Sequence, residues 1–372
     1  MTELGSRGLY RRNATTGRRR VLSTLASVCL GAVTAGGLAP AAHSAQAIRA
    51  CPEPTPDPSC DVFGLAAALD LAGPDTVVTL APGVYREGAA IRQPGLVLRG
   101  EPGARLHGVA VEGKAALVVK TDDVTVEGIE CSGIHVRDNN GACIRQEGRD
   151  LTVRDVHFHD NQQGILVGAP GGDLLIENSL FERNGFGGRA HGVYVSGSVD
   201  TFTFRGNRVL TTVGAGHGVK SRARRTIIED NVIASLDGDD SRAIDISDGG
   251  DVTIRDNVLQ KGPDSRNGQM IGLALEGEPH GSTDALIEHN LFIFDEVDDS
   301  WRDWLKRVLR RVNYNGRVIE TKATGSVVLR DNVVVGARWI GDGVVDEGTR
   351  RYDTRRAAGL PPYPALPTPP AS

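Results

Sequence analysis

The sequence predicts an all-β fold, a single-domain right-handed parallel β-helix: a solenoid with an N-terminal capping helix. Three observations carry this. A strand-like phrase recurs through the middle of the chain, an asparagine holds one place in most copies, and glycine is abundant where aromatics are scarce. Glycine supplies 47 of 372 residues and aromatic residues only 5%, which suits many short strands joined by tight turns better than long packed helices.

The phrase reads LTVRDVHF from Leu151, LLIENSLF from Leu174, FTFRGNRV from Phe202, TIIEDNVI from Thr226, VTIRDNVL from Val252, ALIEHNLF from Ala285 and VVLRDNVV from Val327. Each runs β-branched and apolar residues into a polar turn and out into another apolar pair. Asn178, Asn207, Asn231, Asn257, Asn290 and Asn332 share one place in it. An asparagine at a sharp bend tolerates the left-handed conformation, and its amide can bond the same amide one coil above and below. The closest recurrences lie 24 and 26 residues apart, room for three short strands and three turns, and longer intervals mark loops protruding from one face. A helical solenoid would repeat at about 3.6 residues within each unit, and a sandwich would not repeat its wording.

From the N-terminus, residues 1–47 are expected to be a targeting peptide. Arg18, Arg19, Arg20, Val21, Leu22 and Ser23 resemble a twin-arginine export motif, an apolar run extends from Val21 to Leu38, and Ala45-Gln46-Ala47 offers a cleavage site. Gly31, Gly36, Gly37, Thr34 and Pro40 make that run too weakly apolar for a membrane span. The peptide holds six arginines and one glutamate, so the remaining chain carries 36 basic against 46 acidic residues, a net charge of −10. That balance argues against a nucleic-acid partner, whose binding needs a basic face.

Residues 48–60 read as a lead-in, and Asp61 through Leu71 as a short amphipathic helix, with Asp61 as N-cap, that plugs the first turn. The coil is expected over 61–345 without a linker-like break. WRDWLKRVLRR, from Trp301, places apolar residues on one face and basic ones on the other, an inserted helix at about 299–311. Residues 346–372 are proline-rich and expected to be a disordered tail. Outside the targeting peptide lie Cys51, Cys60, Cys131 and Cys143. An even count in an oxidising compartment fits two disulfides. Proximity favours Cys51 with Cys60 and Cys131 with Cys143, the second pair joining adjacent turns.

HGVYV from His191, GHGVKSRA from Gly216, AIDISDGG from Ala243 and DNVLQKG from Asp256 resemble the pectin-lyase-like right-handed parallel β-helix proteins. That group includes polysaccharide lyases, C5-epimerases and some glycoside hydrolases, and the resemblance covers about residues 60 to 345. It implies the fold, a polysaccharide substrate and work outside the cytoplasm.

In such a coil the outward residues of one sheet stack as rungs about 4.8 Å apart. With Ile144, Ile165, Val193, Val219 and Ile244 inward, Arg145, Leu166, Tyr194, Lys220 and Asp245 point out, and Arg222 lies two residues beyond Lys220 on the same face. The set suits β-elimination or epimerisation at a uronic acid: Lys220 as base, Tyr194 as proton donor to the leaving oxygen, Arg222 to neutralise the carboxylate. His191 and His217, each before a glycine, are the next candidate bases or else a hydrogen-bonded stack. Arg145, Arg242 and Glu276 are read as substrate contacts. Asp245 and Asp248 are the calcium ligands if calcium takes part, and no other cofactor is required. Asp245 has a plain alternative as a salt bridge to Lys220, and with Glu276 it would form the acid and base of a hydrolase. The expected function is therefore an exported polysaccharide lyase or uronate C5-epimerase, monomeric and without an integral membrane segment once processed. A glycoside hydrolase or a non-catalytic carbohydrate-binding protein are the rivals.

Overall fold

The computed structural model describes residues 46–52, 57–168, 171–295 and 313–368. The twin-arginine stretch, the apolar run behind it and the helix expected at 299–311 lie outside the described residues. Because side chains alternate along a strand, each strand turns one face inward to the core and the other outward. A coil takes one strand from each of three sheets. Arg149–Arg154 lies in the first, His157–His159 in the second and Gln163–Val167 in the third, and Gly171–Glu177 re-enters the first. Among the described residues these sheets hold 13, 11 and 9 strands, paired in parallel.

Three apolar stacks fill the interior. Val153, Ile176, Phe204, Ile228, Ile254 and Ile287 are successive inward rungs of the first sheet. Phe158, Phe181, Val209 and Ile233 serve the second, and Ile144, Ile165, Val193, Val219 and Ile244 the third. All are buried, each stabilising the coil by roughly 1.5 to 3 kcal/mol against an exposed side chain. A one-residue slip would turn a whole stack outward, so burial fixes the register and with it the order of the outer rungs.

The asparagine ladder runs at the bend between the first and second sheets. Asn207, Asn231, Asn257 and Asn290 each donate their backbone N–H to the Oδ1 of the next asparagine, at 2.8 to 3.0 Å, and Asn332 ends the row. Asn178 is not a rung. It has a φ of 51° like Asp230, Asp256 and Asp331, the residues just before rungs, and Ser179 takes the ladder place by donating its N–H to Asn207 Oδ1. The left-handed bend thus belongs to the residue preceding the ladder asparagine, which frees the asparagine amide to point along the coil axis.

The capping helix covers Leu65–Leu71 and buries Leu65, Ala68 and Leu69 over the first coil. Its N-cap is Gly64, not Asp61, whose carboxylate instead accepts the Arg49 N–H. Val62–Phe63 is drawn into a strand beside Ala50 and Cys51, which delays the helix, and the Leu65 N–H is met by Glu87. The lead-in also differs from expectation: Ala47–Cys51 already pairs with Val77–Leu80 in the first sheet. Both disulfides are present, with Cα separations of 5.8 Å for Cys51–Cys60 and 5.9 Å for Cys131–Cys143. The second lies within one coil, joining Glu130–Ser132 of the second sheet to Ala142–Gln146 of the third through the core.

Residues 346–368 correct the expectation of disorder. Val345–Glu347 and Arg350–Tyr352 extend the first and second sheets, and Leu360 and Leu366 then pack on Val232, Val258 and Ile293. Those three are outward residues of the second sheet: Val232 and Val258 continue the row in which earlier coils carry Glu130 and His157, and Ile293 the row that carries Ser132 and His159. The apolar half of that face needs a cover, and a proline-rich segment without strand structure, its φ already restricted, supplies one. Arg355 anchors it, pairing with Asp295 at 2.6 Å and donating to the carbonyls of Pro361 and Ala365.

Candidate active site

The outer face of the third sheet carries, in register, Arg145, Leu166, Tyr194, Lys220, Asp245 and Gly272. Strands that lead with a β-branched residue, Val193, Val219 and Ile244, bury it and hold the next side chain outward. Gly272 is required by close approach: a Cβ there would stand 2.5 Å from Asp245 Oδ1 and 2.9 Å from Arg242 Cδ. Its absence lets the row of charge close over the sheet.

Lys220 was expected to face solvent and is instead buried. Its Nζ lies 2.7 Å from Glu276 Oε1 and 3.4 Å from Asp245 Oδ2. Glu276, on the turn after Asn267–Leu273, folds back to cover it and also reaches Arg222. Arg222 Nε donates to Tyr194 Oη at 3.1 Å and the same guanidinium pairs with Asp248. Tyr194, Lys220, Arg222, Asp245 and Glu276 thus form one contiguous cluster. Arg242 joins it through Asp245 Oδ1 at 3.2 Å while its Nε donates to Gln269. Arg145 does not: it is two rungs from Tyr194, about 10 Å at the usual strand spacing, and pairs with Glu147.

His191 and His217 stack with ring centroids 5.0 Å apart, and His191 stacks on Tyr194 at 5.9 Å. The His217 N–H donates to His191 Nδ1 and the Arg242 N–H to His217 Nδ1, at 3.0 and 3.1 Å. Each Nδ1 is therefore an acceptor, and the ring proton sits on Nε2. Burial lowers His217 to about 4, against the opposing pull of Asp245, and lowers His191 well below its usual value, with His217 and Lys220 adding to the effect. Both rings are neutral at neutral pH. To act as a base through Nε2 either would have to carry its proton on Nδ1 and break the backbone contact, so their available role is donation from Nε2. His217 Nε2 faces Asp245 at 3.6 Å.

Asp245 is buried, yet its carboxyl is held below the usual range. Burial raises it, but His217, the Ser247 hydroxyl at 2.6 Å, Arg242 and Lys220 together outweigh that. Burial likewise raises Glu276, and hydrogen bonds from Lys220 and Arg222 overcome it. Neither carboxyl has the raised value that a hydrolase acid needs. The oxygens of Asp245 and Asp248 read as calcium ligands are taken by Arg242, Lys220, Ser247 and Arg222, a donor set that neutralises them without a metal.

Four contributors were not picked out from the sequence. Ser247 follows Asp245 by two residues, a spacing that marks a shared face. Gln269 reaches Arg242 from the next coil, and His280 Nε2 lies 2.8 Å from the Arg222 carbonyl oxygen. Behind the cluster, Lys261 is fully buried with Asp240 at 3.0 Å and also bonds the Ser241 carbonyl, one residue before Arg242. None but Ser247 leaves a local signal. Two cavities of about 640 and 770 Å³ lie beneath the C-terminal segment, lined by Leu291, Leu360 and Tyr363 among others, away from this cluster.

Residues 92–233 match the family described as a right handed beta helix region. No curated protein sequence matches the chain. Among solved structures, an alginate lyase from Paenibacillus sp. is similar with a TM-score of 0.57 and 17% identity, over 81% of this chain and 99% of that one. A pectate lyase, Pel9A, gives 0.48 and 12% over 82% and 80%. The A-module of the mannuronan C-5 epimerase AlgE4 from Azotobacter vinelandii gives 0.38 and 17% over 76% and 95%. The chain is a right-handed parallel β-helix. Among the described residues no helix is long and apolar enough to cross a membrane.

Proposed function

We propose that this protein is an exported, carbohydrate-active enzyme that removes the C5 proton of a uronate in an anionic polysaccharide, as a lyase or a C5-epimerase. The observation that carries the reading is the convergence of Tyr194, Lys220 and Arg222 on one face of the third sheet, within a cluster otherwise satisfied by carboxylates. The alginate lyase named for the first similar structure has the same fold, which accommodates such chemistry without assigning it.

The roles follow from the contacts. Arg222 donates to Tyr194 Oη, so the phenol oxygen accepts on that side and its own hydrogen is left to be delivered to the leaving glycosidic oxygen. The neutral, Nδ1-committed histidines are set aside as bases. Lys220, once its ammonium has given a proton to solvent, takes the C5 proton, and Arg222 stabilises the charge that then develops on the uronate carboxylate. His191 and His217 donate from Nε2 toward bound sugar or Asp245. In elimination the C4–O bond breaks as the C4–C5 double bond forms. In epimerisation a proton returns to C5 from the opposite face. Export rests on the Arg18–Ser23 motif and on two disulfides, which persist in oxidising compartments.

The test is a panel of uronate polysaccharides incubated with the processed protein. Ultraviolet absorbance of unsaturated ends identifies a lyase, inverted C5 signals without scission an epimerase, and reducing ends alone a hydrolase, which would overturn the reading. Lys220→Met should lower the rate by about 100-fold or more. Its stability cost is about 1 to 3 kcal/mol, because Asp245 keeps Arg242 and Ser247. Full activity in that variant would remove Lys220 from the chemistry.

A further inference from the structure

The Glu276 carboxylate does something unusual for a surface residue. Oε1 accepts from Lys220 Nζ at 2.7 Å and Oε2 from the Arg222 guanidinium. The Glu276 side chain is 47% exposed, whereas those of Lys220 and Arg222 are 10% and 22% exposed. Beneath this half-exposed carboxylate both cations are otherwise fixed: Lys220 over Asp245, Arg222 by Asp248 and Tyr194 Oη. Glu276 is held at its backbone, where its N–H donates to the Ser247 carbonyl at 3.0 Å. Its side chain can therefore rotate away without moving the strand.

We propose that the place held by this carboxylate, between Lys220 Nζ and the Arg222 guanidinium, is the binding site for the carboxylate of a uronate, with Glu276 as its internal stand-in. The inference rests on the lyase or epimerase reading and names its substrate subsite. A sugar carboxylate arriving there makes the same two contacts, so the exchange is one anion for another and the net charge of the buried cluster is unchanged. A neutral sugar displacing Glu276 would leave Lys220 and Arg222 one carboxylate short, a penalty that selects acidic sugars by exclusion as well as by attraction. The bound uronate would lie against Lys220 and within reach of Tyr194, the two groups assigned to proton transfer.

The experiment uses Glu276→Ala in the full processed chain and follows thermal melting with sodium acetate, D-galacturonate, methyl galacturonate ester and sodium chloride at matched ionic strength. Acetate and galacturonate should raise the melting temperature of the variant saturably, the ester and chloride should not, and the native protein should respond far less because its site is filled. Glu276→Ser, refolded in acetate, gives the same comparison should the alanine variant fail to fold. On an active substrate, Glu276→Ala should lower KM, since a competitor has been removed. Carboxylates no more effective than chloride on a folded variant would overturn the subsite, even if polysaccharide is turned over. Carboxylate binding without any lyase or epimerase product would leave the subsite standing and remove only the assigned reaction.

Discussion

Two outer faces of the same coil handle charge in opposite ways. On the first sheet one row reads Arg99, Glu127, Arg154, Glu177, Arg205, Glu229, Arg255, Glu288, Arg330 and Glu347, alternating in sign at every rung. Every arginine after Arg99 has a carboxylate on either side in register, the arginines stay about half exposed, and water screens the rest. On the third sheet the row Tyr194, Lys220, Asp245, Gly272 does not alternate, and its charges are drawn inward to share partners with Arg222, Arg242 and Glu276. The backbone spacing is identical. Alternation therefore yields a solvated brace in which every pair is replaceable, while convergence forces desolvation, displaced pKa values and dependence on each neighbour. That contrast is what separates the proposed site from the scaffold around it.

The contrast is tested most severely behind the cluster, where Lys261 ends the second-sheet strand Val258–Lys261. Lys261 and Asp240 are fully buried, Asp240 Oδ1 has no partner among the described residues, and burial lowers the lysine and raises the aspartate. Lys261→Met should cost about 3 to 5 kcal/mol in urea denaturation by stranding the carboxyl, and Lys261→Met with Asp240→Leu should recover most of it. A cost as small as that of a first-sheet pair would erase the distinction drawn between the faces.

Acid should weaken the third-sheet side next. The unfolded chain takes up a proton at His217 near 6.5, while the folded protein resists until about 4. The unfolded state thus binds more protons across that window, and stability falls as the pH drops through it, by about 2 to 3 kcal/mol from this ring. Denaturation midpoints between these pH values should flatten in His217→Gln. An unchanged slope would mean that the ring is not held neutral by its burial.

The smallest effect belongs to the first sheet. Arg205, 50% exposed and 2.7 Å from Glu177, should cost about 0 to 1 kcal/mol as Arg205→Ala, less in high salt, with activity unchanged. A larger loss would show that the alternating row acts as a cooperative network.

Much of this architecture was written in local pattern. Val193, Val219 and Ile244 must be buried, so Tyr194, Lys220 and Asp245 must follow one another on the outside, and that inference needs only a period of two and a repeat. The pairing of Cys131 with Cys143 was legible from proximity, though not that it crosses the interior of one coil. Asn178 misled because its phrase matches its neighbours in wording while its asparagine stands one residue earlier, at the bend itself, and Ser179 holds the ladder place. Asp61 was misplaced as a cap because a strand from elsewhere in the chain competed for its carboxylate.

By itself the sequence determined the coil, its register and the order of its outer rungs, because a stacked apolar interior penalises every other alignment at once. Only the tertiary structure decided that Lys220 is covered, that Glu276 bridges it to Arg222, that two histidines are locked by backbone N–H groups, and that residues 353–368 strap the apolar half of the second sheet. Those outcomes depend on where long side chains and irregular segments end in space, and partners 25 to 60 residues apart are brought within hydrogen-bond reach only after the coils have stacked.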